Sequence, residues 1–152
     1  MRGSNRRGNN HQLPSYRWMS ISEDGGRTWT KPEPWTYVNG DPLYSPSSMS
    51  QLFRHSSNRI FWIGNATKEE INGNYPRWPL VIGEVDPKSL GLINQSVIEI
   101  DTRRPDDPPR IDLSHFRAQE DRRNGEIILT VPRALDGYKS TTWTTYRLKV
   151  EP

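Results

Sequence analysis

Ser22-Glu23-Asp24-Gly25-Gly26-Arg27-Thr28-Trp29 is the stretch on which the fold turns. Ser22 and Asp24 carry short polar side chains that hydrogen-bond nearby backbone N–H groups and hold a tight turn. Gly25 and Gly26 supply the φ > 0 conformations such a turn needs. Thr28 and Trp29 begin the return, with an indole large enough to plug the space between two strands. Tyr16-Arg17-Trp18-Met19-Ser20-Ile21 before it reads as a strand, so the unit is strand, tight turn, strand.

Working outward, strand signals recur and helix signals do not. Residues 3–15 are polar and glycine-rich and read as a loop. Trp35–Val38 is a short strand after the proline-rich Lys31–Pro34. Ser48–Arg54 and Arg59–Ile63 flank the turn His55–Asn58; Trp78–Val85 and Ser96–Ile100 follow a long loop. Ser114–Glu120 and Glu126–Val131 flank Arg122–Gly125, and Thr141–Val150 is the last strand. No segment holds apolar residues at i, i+3, i+4, i+7 for more than two turns. Thirteen Pro and eleven Gly in 152 residues fit frequent turns, and six Trp with six Tyr offset an apolar content of only 32%.

The strands repeat. The hairpin 48–63 overlays 115–130, with Ser47 on Ser114, Met49 on Phe116, Ile60 on Ile127 and Phe61 on Ile128. The strand ending at Ser22–Asp24 overlays the one ending at Glu84–Asp86, and Asp86–Gly91 occupies the place of a degenerate second copy of the turn. Four strands recurring after 62 to 67 residues make an all-β chain of similar sheets.

Composition excludes several classes. A net charge of +3 comes from scattered Arg and Lys, without the concentrated basic face of a nucleic-acid binder. The absence of Cys removes disulfides and thiolate metal sites, and three His without ligand spacing suggest no metal and no cofactor. No stretch is long enough to span a bilayer, so no membrane partner is expected, and Met1–Asn5 is not followed by the apolar run of a signal peptide.

The octapeptide resembles the Asp-box, the Ser-x-Asp-x-Gly-x-Thr-Trp signature of sialidase-like (BNR-repeat) six-bladed β-propellers, with Ser22, Asp24, Gly26, Thr28 and Trp29 at its structural positions. The resemblance extends over nearly the whole chain and implies a partial propeller of about two and a half four-stranded blades. Residues 1–44 would be an incomplete blade carrying the box at 22–29, 45–101 a complete blade, and 112–150 an incomplete one. An open propeller leaves unpaired edges and unburied faces. The expectation is therefore a C-terminal half, with Met1 an internal methionine and the N-terminal half as the missing partner. The full-length protein would be secreted or periplasmic.

The resemblance also implies a site. Sialidases hold the substrate carboxylate with three arginines, and two of them fall on Arg2 and Arg77 here. Arginine suits the task because its planar fork meets a carboxylate with two hydrogen bonds. Arg2, at a chain end, reads equally as an exposed side chain. The family's Tyr nucleophile would fall in Asp112-Leu113-Ser114-His115-Phe116-Arg117, which has no Tyr. His115 occupies that place and is either a cleft residue or a structural one. Tyr44, Ser48 (with Ser47) and Asn65 would line the same cleft. The catalytic residues themselves stay unassigned. The pairs Asp106–Asp107 and Glu120–Asp121 read as solvated turn charges, because strand neighbours face opposite ways.

The implied function is that of an exo-acting glycoside hydrolase, or its C-terminal half, on a terminal and possibly acidic sugar of a glycan. A non-catalytic glycan-binding propeller and an inactive fragment are the alternatives that the missing Tyr leaves open.

Overall fold

A computed structural model describes residues 2–3, 15–71 and 74–151 of the chain, the first two as backbone alone. Among them are ten strands and two short 3-10 turns, with no α-helix: β1 (Arg2–Gly3), β2 (Arg17–Met19), β3 (Glu33–Pro34), β4 (Gln51–Arg54), β5 (Ile60–Asn65), β6 (Leu80–Val85), β7 (Ile98–Asp101), β8 (Arg117–Asp121), β9 (Glu126–Leu135) and β10 (Ser140–Leu148). They form three antiparallel meanders, β1-β2-β3, β4-β5-β6-β7 and β8-β9-β10. None closes on itself, and three sheets do not by themselves make a ring.

Side-chain alternation in the middle sheet dictates the layering. On β5 and β6, Phe61, Ile63, Leu80 and Ile82 join Ile127, Leu129 and Val131 of β9 in one core. Trp62, Val81 and Val85 point the other way, into a second core with Trp35, Leu43 and Leu92. The central strands β5 and β6 of the middle sheet are thus buried on both faces, between its two neighbours. Trp35 and Trp62 meet edge to face at 5.5 Å, a preferred geometry for aromatic pairs, and Trp35 Nε1 donates to the carbonyl of Leu90 at 2.5 Å.

The two hairpins match with one slip. Asn58 and Gly125 both adopt left-handed backbone, φ 66° and 71°, at equivalent places before β5 and β9. Trp62 and its counterpart Leu129 each face the preceding sheet. The connection between paired Arg54 and Ile60 is longer by one residue than that between Asp121 and Glu126. One residue flips every side chain of a strand. The expected match of Met49 with Phe116 therefore fails: Met49 is exposed and Phe116 is core.

The first sheet also departs from expectation. β3 is Glu33–Pro34, earlier than the strand expected at 35–38; Tyr37 makes an isolated bridge to Leu92 instead. An edge position tolerates Pro34, whose missing N–H would interrupt a central strand.

The box itself is built as its residues dictate. Asp24 Oδ1 accepts from the backbone N–H groups of Arg27 and Thr28, both at 2.9 Å, and Oδ2 from Thr28 Oγ1 at 2.7 Å. Ser22 Oγ accepts from Gly26 N at 2.7 Å, with Gly25 and Gly26 at φ 74° and 90°. These bonds, led by Thr28, pull the Asp24 carboxyl down to about 2. Trp29 does not plug an inter-strand space. It is 62% exposed, and its indole N–H folds back onto the carbonyl of Gly26 at 3.1 Å.

Candidate functional site

Two polar groups meet at the ends of the sheets, joined through Asn65. The first is built on Asp112. Its backbone is fixed on both sides: Asp112 and Ala134 exchange N–H···O bonds at 2.9 and 3.1 Å, and Leu113 N donates to the carbonyl of Arg77 at 3.2 Å. Three segments distant in sequence, 77, 112 and the end of β9, are thereby held together.

Its carboxylate, 3% exposed, is saturated. Oδ1 accepts from Ser114 N at 2.8 Å and Ser114 Oγ at 2.6 Å. Oδ2 accepts from Arg77 Nη1 at 2.6 Å and from the Tyr138 hydroxyl at 2.6 Å. Burial alone would raise the Asp112 pKa, but the Ser114 and Tyr138 hydrogen bonds and the Arg77 charge outweigh it and leave it lowered. Desolvation and the neighbouring Asp112 push the Tyr138 phenol well above its ordinary value. The site therefore holds an ionised acid and a neutral phenol.

Tyr138 reaches Asp112 because the β9–β10 connection bends sharply. Asp136, Gly137 and Tyr138 all have positive φ, at 46°, 64° and 71°. For Asp136 and Tyr138 this is a strained conformation. The hydroxyl also lies 2.7 Å from His115 Nδ1, and the two rings meet edge to face at 5.6 Å. Both side chains are about half exposed. Arg77 and Arg110 both lie over the Tyr75 ring, at 5.2 and 5.8 Å, within cation–π range. A cationic and aromatic surface thus surrounds one buried carboxylate.

Arg77 and His115, two residues singled out from the sequence, do come together here. Arg77 is engaged by Asp112 rather than free, with Nη1 on the carboxylate and Nε donating to Asn74 O at 3.3 Å. Arg2 is described only as a backbone residue of β1, opposite Trp18; its side chain lies outside the described residues.

Asn65, Ser48 and Tyr44 belong to the second group. Asn65 is fully buried and donates Nδ2 to the carbonyls of Arg77 and Pro79, at 3.0 and 3.3 Å, so it positions the Arg77 loop. Ser48 O accepts from Arg17 Nη1 at 3.2 Å, and Tyr44 stacks on Tyr16 at 5.6 Å. Arg17, fully buried, also donates to Ser45 Oγ and lies 5.5 Å over Trp62. No carboxylate pairs with it among the described residues, and burial lowers its pKa to about 10.

Pro76, Trp78 and Pro79, the neighbours of Arg77, line an open pocket of about 520 Å3 together with Ala66–Ile71, Glu99 and Thr102. Arg77 itself points elsewhere. No group of three His, Asp or Glu able to hold a metal occurs among the described residues.

Sequence reasoning missed Tyr138, Arg17 and the partnership of Asp112 with Arg77. A weak signal existed for Asp112: Asp-x-Ser is a spacing in which the carboxylate caps its own backbone. Nothing local marked Tyr138. Comparison with protein-family models, curated proteins and solved structures returned no match.

Proposed function

We propose that this chain recognises a terminal acidic sugar of a glycan, on sheets that are blades of a sialidase-like six-bladed propeller. The blade reading is supported by three similar meanders, with the central strands of the middle one buried on both faces between its neighbours. The observation that carries the sugar reading is the fixed guanidinium of Arg77. Asp112 and Asn74 hold its Nη1 and Nε, and the described residues place no hydrogen bond on Nη2. A preorganised guanidinium edge beside exposed Tyr138, His115 and Arg110 suits a carboxylate and the face of a pyranose ring.

Binding fits this geometry better than hydrolysis. An acid catalyst needs a carboxyl that holds its proton near neutral pH, whereas Asp112 holds its proton more weakly than an ordinary Asp. A single observation favours the hydrolytic reading: the Tyr138 hydroxyl lies 2.6 Å from a carboxylate, the phenol–carboxylate pairing a sialidase-type nucleophile uses.

Two measurements test both readings. Saturation-transfer NMR with an α-sialoside, a hexuronide and a neutral hexoside should show transfer to the two acidic sugars and weaker transfer to the neutral one. Tyr138→Phe should weaken the acidic signals without unfolding the protein. Equal signals for all three sugars, or none, would refute acidic-sugar recognition. Release of a fluorescent aglycone from a sialoside, abolished in Tyr138→Phe, would replace binding with hydrolysis.

A further inference from the structure

The hydrogens of the Asp112 cluster have one consistent arrangement. Tyr138 owns a single O–H, and two groups lie within short hydrogen-bond distance of its oxygen: Asp112 Oδ2 at 2.6 Å and His115 Nδ1 at 2.7 Å. Asp112 already takes hydrogen bonds from Ser114 and Arg77 and is held ionised, so it only accepts. The phenol hydrogen therefore goes to Asp112. The second short contact then forms only if His115 Nδ1 carries a hydrogen and donates it to the phenol oxygen. Ser114 Oγ, 3.4 Å from the same Nδ1, is committed in the same way. Its own hydrogen goes to Asp112 Oδ1, which leaves its oxygen an acceptor toward His115. Both neighbours of Nδ1 thus require a donor there.

This fixes the role of the other ring nitrogen. In a neutral imidazole one nitrogen donates and the other accepts, so a hydrogen on Nδ1 leaves the Nε2 lone pair bare. No described residue bonds Nε2, and the His115 side chain is 55% exposed. The ring is also held in place. It meets Tyr138 edge to face at 5.6 Å, and Tyr138 is itself anchored on Asp112. A second proton disturbs nothing on the inner side, because Nδ1 donates in either state. That proton enters at Nε2 alone.

Among the described residues only Asp112 pairs with the ring, at 3.8 Å from Nδ1, and Arg77 already meets its charge. Asp136 and Lys139 flank Tyr138 in its turn without an ion pair to His115, Arg117 opens β8 two residues on, and Arg110 lies over Tyr75. An imidazolium here adds positive charge that the cluster does not cancel. We infer that His115 is the specificity-determining residue of this site and makes it sensitive to pH: Tyr138 and Asp112 keep its proton on Nδ1, and it presents Nε2 to the ligand, as an acceptor for a sugar hydroxyl when neutral and as a cationic donor to the sugar carboxylate when protonated. The inference rests on the acidic-sugar reading. Imidazole is the side chain whose charge ordinarily changes between about pH 5 and 8. An acidic sugar therefore binds more tightly as pH falls through that window, and a neutral sugar does not.

Ring-nitrogen NMR on isotope-labelled histidine reads the proton position without any sugar. The His115 signals are assigned by their loss in His115→Gln. At neutral pH they should show the proton on Nδ1, and Tyr138→Phe should release it toward Nε2. A proton on Nε2 in the parent would overturn the inference. Titration with an α-sialoside should show an affinity about three- to tenfold higher at about pH 5.5 than at about pH 7.5. A neutral hexoside should show no such gain, and His115→Gln should abolish the gain for the sialoside while leaving the circular dichroism intact. Sialoside affinity that ignores pH, or a gain that persists in His115→Gln, would overturn the inference and leave acidic-sugar recognition standing. Absence of sialoside binding at every pH would refute that recognition, and the inference with it.

Discussion

Asp112→Asn isolates the ion pair at the centre of the site. The substitution keeps volume and an acceptor for Ser114, which occupies Oδ1 through its amide and hydroxyl. It places an amide N–H group where Oδ2 now accepts from Arg77 and Tyr138. Donor then meets donor, and Arg77, whose side chain is 16% exposed, loses its counter-charge. Removing one partner of a buried pair destabilises by roughly 3–5 kcal/mol. Residual exposure and the Tyr75 ring soften the loss for Arg77, so about 3 kcal/mol is expected. For a chain of this size that is a fall in Tm of about 6–12 °C. Urea unfolding at neutral pH should show it as a lower midpoint with an unchanged slope. The pH dependence supplies an independent check. The folded Asp112 pKa lies below its ordinary 3.8, so its stabilisation is complete above 3.8 and is lost as pH falls toward the folded value. The gap between Asp112→Asn and the parent must therefore close in acid. A gap below about 1 kcal/mol at neutral pH, or one that persists in acid, would refute the ion pair as a stabilising element.

Two further outcomes follow from local geometry. The amide resonances of Arg27 and Thr28, which donate to Asp24, should titrate with a midpoint near 2 rather than 3.8; a midpoint at the ordinary value would show that the box does not hold Asp24 as described. A Cβ at Gly64 would lie 2.5 and 2.9 Å from Trp62 ring atoms and 3.0 Å from Ser50 Cβ. Gly64→Ala should thus destabilise by about 1–3 kcal/mol in urea titration, and a neutral effect would show that the Trp62 ring gives way.

Short apolar runs bounded by turn residues made the strands legible. Ile60-Phe61-Trp62-Ile63 and Leu80-Val81-Ile82 put large side chains on both faces, which only a strand covered on both sides accommodates. The repeat was legible for the same reason, because Trp62 and Leu129 answer the same need against the preceding sheet. The slip at Met49 was not, since one extra residue in a turn changes nothing in composition and everything in facing. Trp29 misled for a related reason. Its bulk predicts burial, but the neighbouring Gly26 carbonyl offers its indole N–H a local partner on the surface.

The site was legible where it depends on one segment and illegible where it depends on three. Arg77 stands out after its loop, but the carboxylate it touches lies 35 residues on, at Asp112, and the Tyr138 that shares that carboxylate lies 26 further. The bridges from Asp112 to Arg77 and Ala134 bring these segments together, and those are backbone bonds with no side-chain signature. A search for a Tyr at the start of the strand after Asp112 finds His115. The phenol comes instead from the far end of the following hairpin and lands on that same His115, 2.7 Å away. Order along the chain is thus a poor guide to this site, because a hairpin returns to its starting end. The two proposed readings differ in protonation. A phenol held above its ordinary pKa beside a carboxylate held below its own is arranged to donate and accept hydrogen bonds, which suits the binding reading better than nucleophilic attack.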